Sequence, residues 1–95
     1  MSQRYRHTQQ VVERKIRGEH ILVPLMKSEE QLDALYTLNP TASQVWELAG
    51  RGQSAAEIAR FLADQYAVDF AVAEADVRRI IADLLAIRAL EPLPS

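Results

Sequence analysis

Cysteine is absent, which removes disulfides, thiolate nucleophiles and nearly every structural zinc scheme. Histidine is scarce. His7 and His20 have no second ligand and no carboxylate partner at motif spacing, so they read more simply as solvated or half-buried side chains than as metal ligands or catalytic groups. Glycine is limited to Gly18, Gly50 and Gly52, and Gly50-Arg51-Gly52 lacks the lysine and the preceding strand of a phosphate cradle. No window approaches the ~18 uninterrupted apolar residues of a membrane-spanning helix. The opening MSQRYRHTQQ lacks the apolar stretch of a secretory signal, so the expected location is the cytoplasm, with no membrane partner.

Positive charge is also in short supply. The net charge is −2, and residues 40–95 carry five arginines against eight acids. A basic tip stands against this background in Arg4, Arg6, Arg14, Lys15 and Arg17. Phosphate neutralisation supplies most nucleic-acid affinity, and this distribution offers no basic face for it.

What is present suits one small globular domain. The chain has 95 residues, 48% of them apolar and 25% charged, and a chain of that size buries roughly two thirds of its unfolded surface. Residues 1–10 read as a flexible N-terminal segment, and residues 11–95 as the folded domain. Val12 and Ile16, then Ile21, Val23 and Leu25, alternate on either side of Arg17-Gly18-Glu19, which predicts a β-hairpin. Pro24 suits an edge or a bend. In LDALYTL, residues 32–38, Leu32, Ala34, Tyr36 and Leu38 fall on one face of a third strand; Ser28 with Gln31 also makes a capping box, so residues 28–35 stay open between strand and helix.

Helix signals then follow in series. Asn39 is a favoured N-cap and Pro40 suits the first helical position, so LNPTASQVWELAG, residues 38–50, enters a helix with Val45, Leu48 and Ala49 on its apolar face and glycines at its end. Ser54 and Glu57 form a capping box for a second helix through Ile58, Phe61, Leu62 and Tyr66. A third runs from near Asp69 to about Arg88, with an apolar stripe from Val77 to Ile87 wider than one packing partner needs. Glu91 to Pro94 reads as a short extended tail or a vestigial wing strand. Three strands followed by three helices predict an α+β domain: a small three-stranded antiparallel sheet and a winged helix-turn-helix-like helical half.

Chemistry is sparse. Ser43 and Ser54 are explained as helix-start residues, and Glu74 and Asp76 as first-turn acids favoured by the helix dipole. The expectation is no catalytic residue, no metal and no cofactor. A winged-helix DNA reader would need Arg, Lys, Asn or Gln along one helix face. Here Arg60, Arg78, Arg79 and Arg88 are interleaved with acids, which leaves DNA binding as an alternative reading.

The order and spacing of these features resemble the PqqD-like proteins, or RiPP recognition elements. The resemblance rests on Leu38-Asn39 entering a helix with Trp46-Glu47-Leu48, on Ser54-Ala55-Ala56-Glu57-Ile58-Ala59, on LADQYAV at 62–68, on Asp76-Val77 and Ile80-Ile81, and on Ala89-Leu90. The hairpin GEHILVPL resembles the family's second strand. It covers about Val11 to Leu93, with Ala89 where members often carry Gly and KSEEQ in place of a Gly-rich turn.

The resemblance implies a non-enzymatic peptide chaperone in natural product biosynthesis. Such a module binds the leader of a ribosomally made precursor peptide and presents it to a modifying enzyme, often a radical SAM enzyme. It implies docking as an added strand on Asp33, Ala34, Leu35, Tyr36 and Thr37. Arg79, Ile80, Asp83 and Ile87 are expected as the groove wall on the third helix, whereas Val77, Ile81 and Leu84 are expected in the core. A homodimer joined through the same strand edge is a further reading. Precursor, modification and enzyme are not encoded in this chain.

Overall fold

A two-residue turn organises the first half of the chain. The computed structural model describes residues 3–25 and 36–94, with β1 (Tyr5–His7), β2 (Val11–Ile16), β3 (Glu19–Pro24), β4 (Tyr36–Leu38), α1 (Pro40–Gly50), α2 (Ala55–Tyr66), α3 (Phe70–Ala86) and β5 (Leu90–Pro92). Between β2 and β3, Arg17 (φ 54°) and Gly18 (φ 82°) are both left-handed, the conformation of a type I′ connection whose twist suits the flanking strands. The antiparallel register pairs Ile16 with Glu19 and Val11 with Pro24, and β4 joins the other side of β3 with His20 opposite Leu38 and Leu22 opposite Tyr36. The sheet order is therefore β2-β3-β4, the expected three-stranded antiparallel sheet.

Opposed residues share a face, so this register sorts the side chains. Leu22 and Leu38 are buried on the inner face, with Tyr36 half-buried beside them, while Val12 and Ile16 are exposed on the outer face that also carries Ile21 and Val23. Pro24 stands opposite Val11 at a position whose backbone nitrogen points away from β2, so its missing N–H costs no bond to that strand.

The helices start and stop as their caps dictate. Asn39 accepts from the Ala42 N–H at 2.8 Å and Pro40 opens α1. At its end Gly52 (φ 87°) donates to Ala49 O and Gln53 to Leu48 O, a Schellman closure. Ser54 and Glu57 cap α2 reciprocally, at 2.9 and 3.2 Å. The α3 terminus closes the same way, Arg88 donating to Leu85 O and Ala89 to Leu84 O, but with Arg88 at φ 63° where glycine is customary. Ala89 is outside the left-handed region and fully buried, so alanine suits the position. One core gathers Leu22 and Leu38 from the sheet, Val45 and Trp46 from α1, Ile58 and Leu62 from α2, and Val77, Ile81 and Leu84 from α3.

One expectation changes. Residues 5–7 are not a flexible segment. β1 pairs antiparallel with β5, Tyr5 opposite Pro92 and His7 opposite Leu90, and Tyr5 is buried. The strap continues through Thr8, whose N–H donates to Ala89 O and whose hydroxyl donates to Arg88 O, so the N-terminal segment satisfies carbonyls at the end of α3. The third strand is described from Tyr36 to Leu38, and residues 28–35, with their strand-or-helix question, lie outside the described residues.

Candidate functional site

The hairpin register fixes which backbone groups of β4 are free. A two-residue turn closes on a hydrogen-bonded pair, here Ile16 with Glu19, and such pairs recur at every second residue. The bond from Leu25 N–H to Gln10 O, 2.8 Å, keeps this alternation at the far end. Glu19, Ile21 and Val23 thus bond toward β2, and His20 and Leu22 bond toward β4, to Leu38 and Tyr36. Thr37, opposite Ile21, directs both its N–H and its C=O to the outer edge of β4. Among the described residues no strand pairs with that edge.

Beside the edge stands α3. Tyr36, half-buried on the inner face, donates from its hydroxyl to Asp83 Oδ2 at 3.4 Å. Burial pushes the Tyr36 hydroxyl up from its ordinary pKa and the Asp83 carboxylate adds to the rise, while the nearby Arg79 charge offsets part of it. The Tyr36–Asp83 bond therefore joins strand and helix, with the Arg79 charge nearby. Arg79 is exposed and approaches Asp76 at 3.7 Å.

The expected site residues divide accordingly. Tyr36 and Thr37 lie on β4, and Arg79 and Asp83 lie on the facing side of α3. Ile80 is corrected: at 7% exposure it belongs to the core, and the wide stripe on α3 is wide because it packs on several elements. Ile87 is half-buried against the core at the α3 C-cap. Asp33, Ala34 and Leu35 lie outside the described residues.

A concavity of about 500 Å³ opens at the hairpin end of the sheet between Gly18, His20, Thr37, Asn39, Ser43 and Glu47. At its wall Ser43 Oγ and Glu13 Oε2 both approach His20, and Trp46 Nε1 donates to Glu13 Oε2 at 3.1 Å. A nucleophile relay needs serine on one imidazole nitrogen and the carboxylate on the other. Here both partners face Nδ1, with Glu13 at 3.2 Å, so the arrangement ties β2 and β3 to α1 and does not activate a serine. Sequence spacing alone missed the carboxylate partner of His20, which the hairpin brings close by placing Lys15 opposite His20 and Glu13 two residues before it.

His7 has a structural place as well. Its ring stacks on Trp46 with centroids 3.5 Å apart and planes 7° from parallel, and its Nε2–H donates to Trp46 O at 2.8 Å. A Cβ on Gly50 would fall on that ring. Among the described residues no group of three His, Cys, Asp or Glu is placed to hold a metal, and no helix is long and apolar enough to cross a membrane.

A family model described as Coenzyme PQQ synthesis protein D (PqqD) matches residues 19–90. Among solved structures, TbiB1 in complex with the TbiA(beta) leader peptide is similar at 26% identity over 95% of this chain and 99% of that one, with a TM-score of 0.74. The PqqD truncation of Methylobacterium extorquens PqqCD, solved in solution as a functional, stand-alone RiPP recognition element, is similar at 27% identity, covering 92% and 87%, with a TM-score of 0.68. Lasso peptide synthetase B1 complexed with the leader peptide shares the fold at 22% identity and a TM-score of 0.75 over 95% and 98% of the chains. No curated protein matches the sequence.

Proposed function

The chain belongs to the PqqD family, and from that premise we propose that it is a non-catalytic module that binds the leader of a ribosomally made precursor peptide as an added strand on the outer edge of β4. The observation that carries this reading is the outward pair of backbone groups on Thr37, beside α3 and with no partner strand among the described residues. Backbone pairing supplies affinity on such an edge, and side chains of the flanking wall supply selectivity. At a net ~1 kcal/mol per hydrogen bond, a few bonds and two buried apolar side chains give micromolar or tighter binding after ordering costs.

The other sheet edge is less suited. β2 carries Glu13, Arg14 and Lys15 in succession, the kind of charged edge that resists pairing. The partner that receives the docked leader is a modifying enzyme, of the radical SAM class in the family's pattern. A second copy of this chain competes for the same β4 edge, so the peptide dissociates any such dimer.

Titration of the isotope-labelled chain with its cognate precursor leader tests the proposal. Amide shifts concentrate in residues 36–38 and 76–88. A flat titration, or shifts confined to β2, contradicts it.

A further inference from the structure

The wall beside the edge carries two charges that are only weakly engaged by the described residues. Arg79 and Asp83 are four residues apart, so they lie on one side of α3 about 6 Å apart along its axis. They do not pair with each other: Arg79 approaches Asp76 at 3.7 Å, with both side chains mostly exposed at 70% and 58%, and among the described residues Asp83 takes only the long bond from Tyr36 at 3.4 Å. Arginine N-terminal to the acid is also the less favourable order for an i,i+4 pair, so the helix itself gives them little reason to close. Elsewhere α3 does pair its charges, as Arg78 does with Glu74 at 3.1 Å on another face.

A strand laid along β4 repeats its helix-facing side chains every second residue, about 6.6 Å. That interval matches the rise from Arg79 to Asp83. Where the docked strand runs along the α3 axis, two of its successive helix-facing side chains stand opposite the two charges together. Resting on the β4 reading above, we infer that this wall selects a leader segment with an acidic side chain opposite Arg79 and a basic one two residues away, opposite Asp83.

The charge order gives the groove a direction as well as a composition. A segment with the two charges exchanged sets like against like at both places, and a neutral segment keeps the backbone pairing without the selection. Tyr36 yields readily, because a neutral donor at 3.4 Å is a poor substitute for an ammonium or guanidinium on the Asp83 carboxylate.

The test is a display library of random twelve-residue peptides selected against the full chain, with recovered binders titrated by amide shifts into the wild type, Arg79→Glu and Asp83→Lys. The expected binders shift Tyr36 to Leu38 and are enriched in an acid and a base two residues apart. Arg79→Glu weakens them about tenfold, and a lysine in place of the peptide's acid restores the loss. Binders that shift Tyr36 to Leu38 but show no charge pair, or that ignore both substitutions, overturn the inference and leave the β4 reading standing. Recovery of no binder, or only of binders that leave Tyr36 to Leu38 unshifted, overturns the β4 reading and this inference with it.

Discussion

Thr37 lies opposite Ile21 in a pair that exchanges no backbone hydrogen bonds, so its N–H and C=O both face the open edge of the sheet. Proline at position 37 removes an N–H that pairs with no strand among the described residues, and edge strands tolerate proline with that side to solvent. We predict that Thr37→Pro keeps the helical circular dichroism and shifts stability by less than about 1 kcal/mol, while leader affinity drops about tenfold through one lost bond and the ring's bulk. Isothermal titration beside a thermal melt separates the two effects.

Gly50 and His7 form a lock on Trp46. Alanine at Gly50 gains ~1 kcal/mol of helix propensity, but its methyl displaces the ring that stacks on Trp46 and donates to its carbonyl. Stacking contributes about 0.5–1.5 kcal/mol and the hydrogen bond about 1, so Gly50→Ala comes out destabilising by up to ~1.5 kcal/mol. The specific readout is the His7 ring-proton shift, which loses its indole ring current.

Trp46 itself is buried, stacked and hydrogen-bonded to Glu13. Trp46→Ala removes about 3–5 kcal/mol, most of the stability available to a domain of this size, and denaturant titration finds much of the chain unfolded in water.

Arg88 holds a left-handed conformation at the α3 C-terminus without being glycine. Arg88→Gly relieves a strain of about 1–2 kcal/mol and gives back part of it as chain entropy, for a net gain of about 0.5–1 kcal/mol. Chemical denaturation measures it as a higher midpoint with unchanged slope.

Glu57 is tuned by its cap. The Ser54 backbone N–H, then the Arg4 side chain, hold its carboxyl below the usual value of 4.5. Both favour the charged form, so this stabilisation is complete above the unfolded pKa and disappears as pH falls through the lowered folded one. The gap in melting temperature between the wild type and Glu57→Gln therefore narrows on the acid side of pH 4.5 and is steady above it.

Much of this architecture is legible in the chain because its signals are local. Asn39-Pro40 and Ser54 with Glu57 announce two helix starts through bonds spanning three residues, and Arg17-Gly18 announces the hairpin. β1 carries no such signal. Three residues, Tyr5 to His7, become a strand only because β5 arrives at the other end of the chain to pair with them. Ile80 shows the limit of periodicity, which marks an apolar stripe but does not say which part meets α1, α2 or β5 and which part meets an open groove. The freedom of Thr37 follows from pairing parity, which becomes readable once the turn fixes the register.

Amide hydrogen exchange with and without the cognate leader peptide reports on the two sheet edges separately. A leader docked on β4 slows exchange at Thr37 strongly, while the outward amides of Glu13 and Lys15 on β2 keep their rates. Protection at Glu13 and Lys15 with Thr37 unchanged would contradict it.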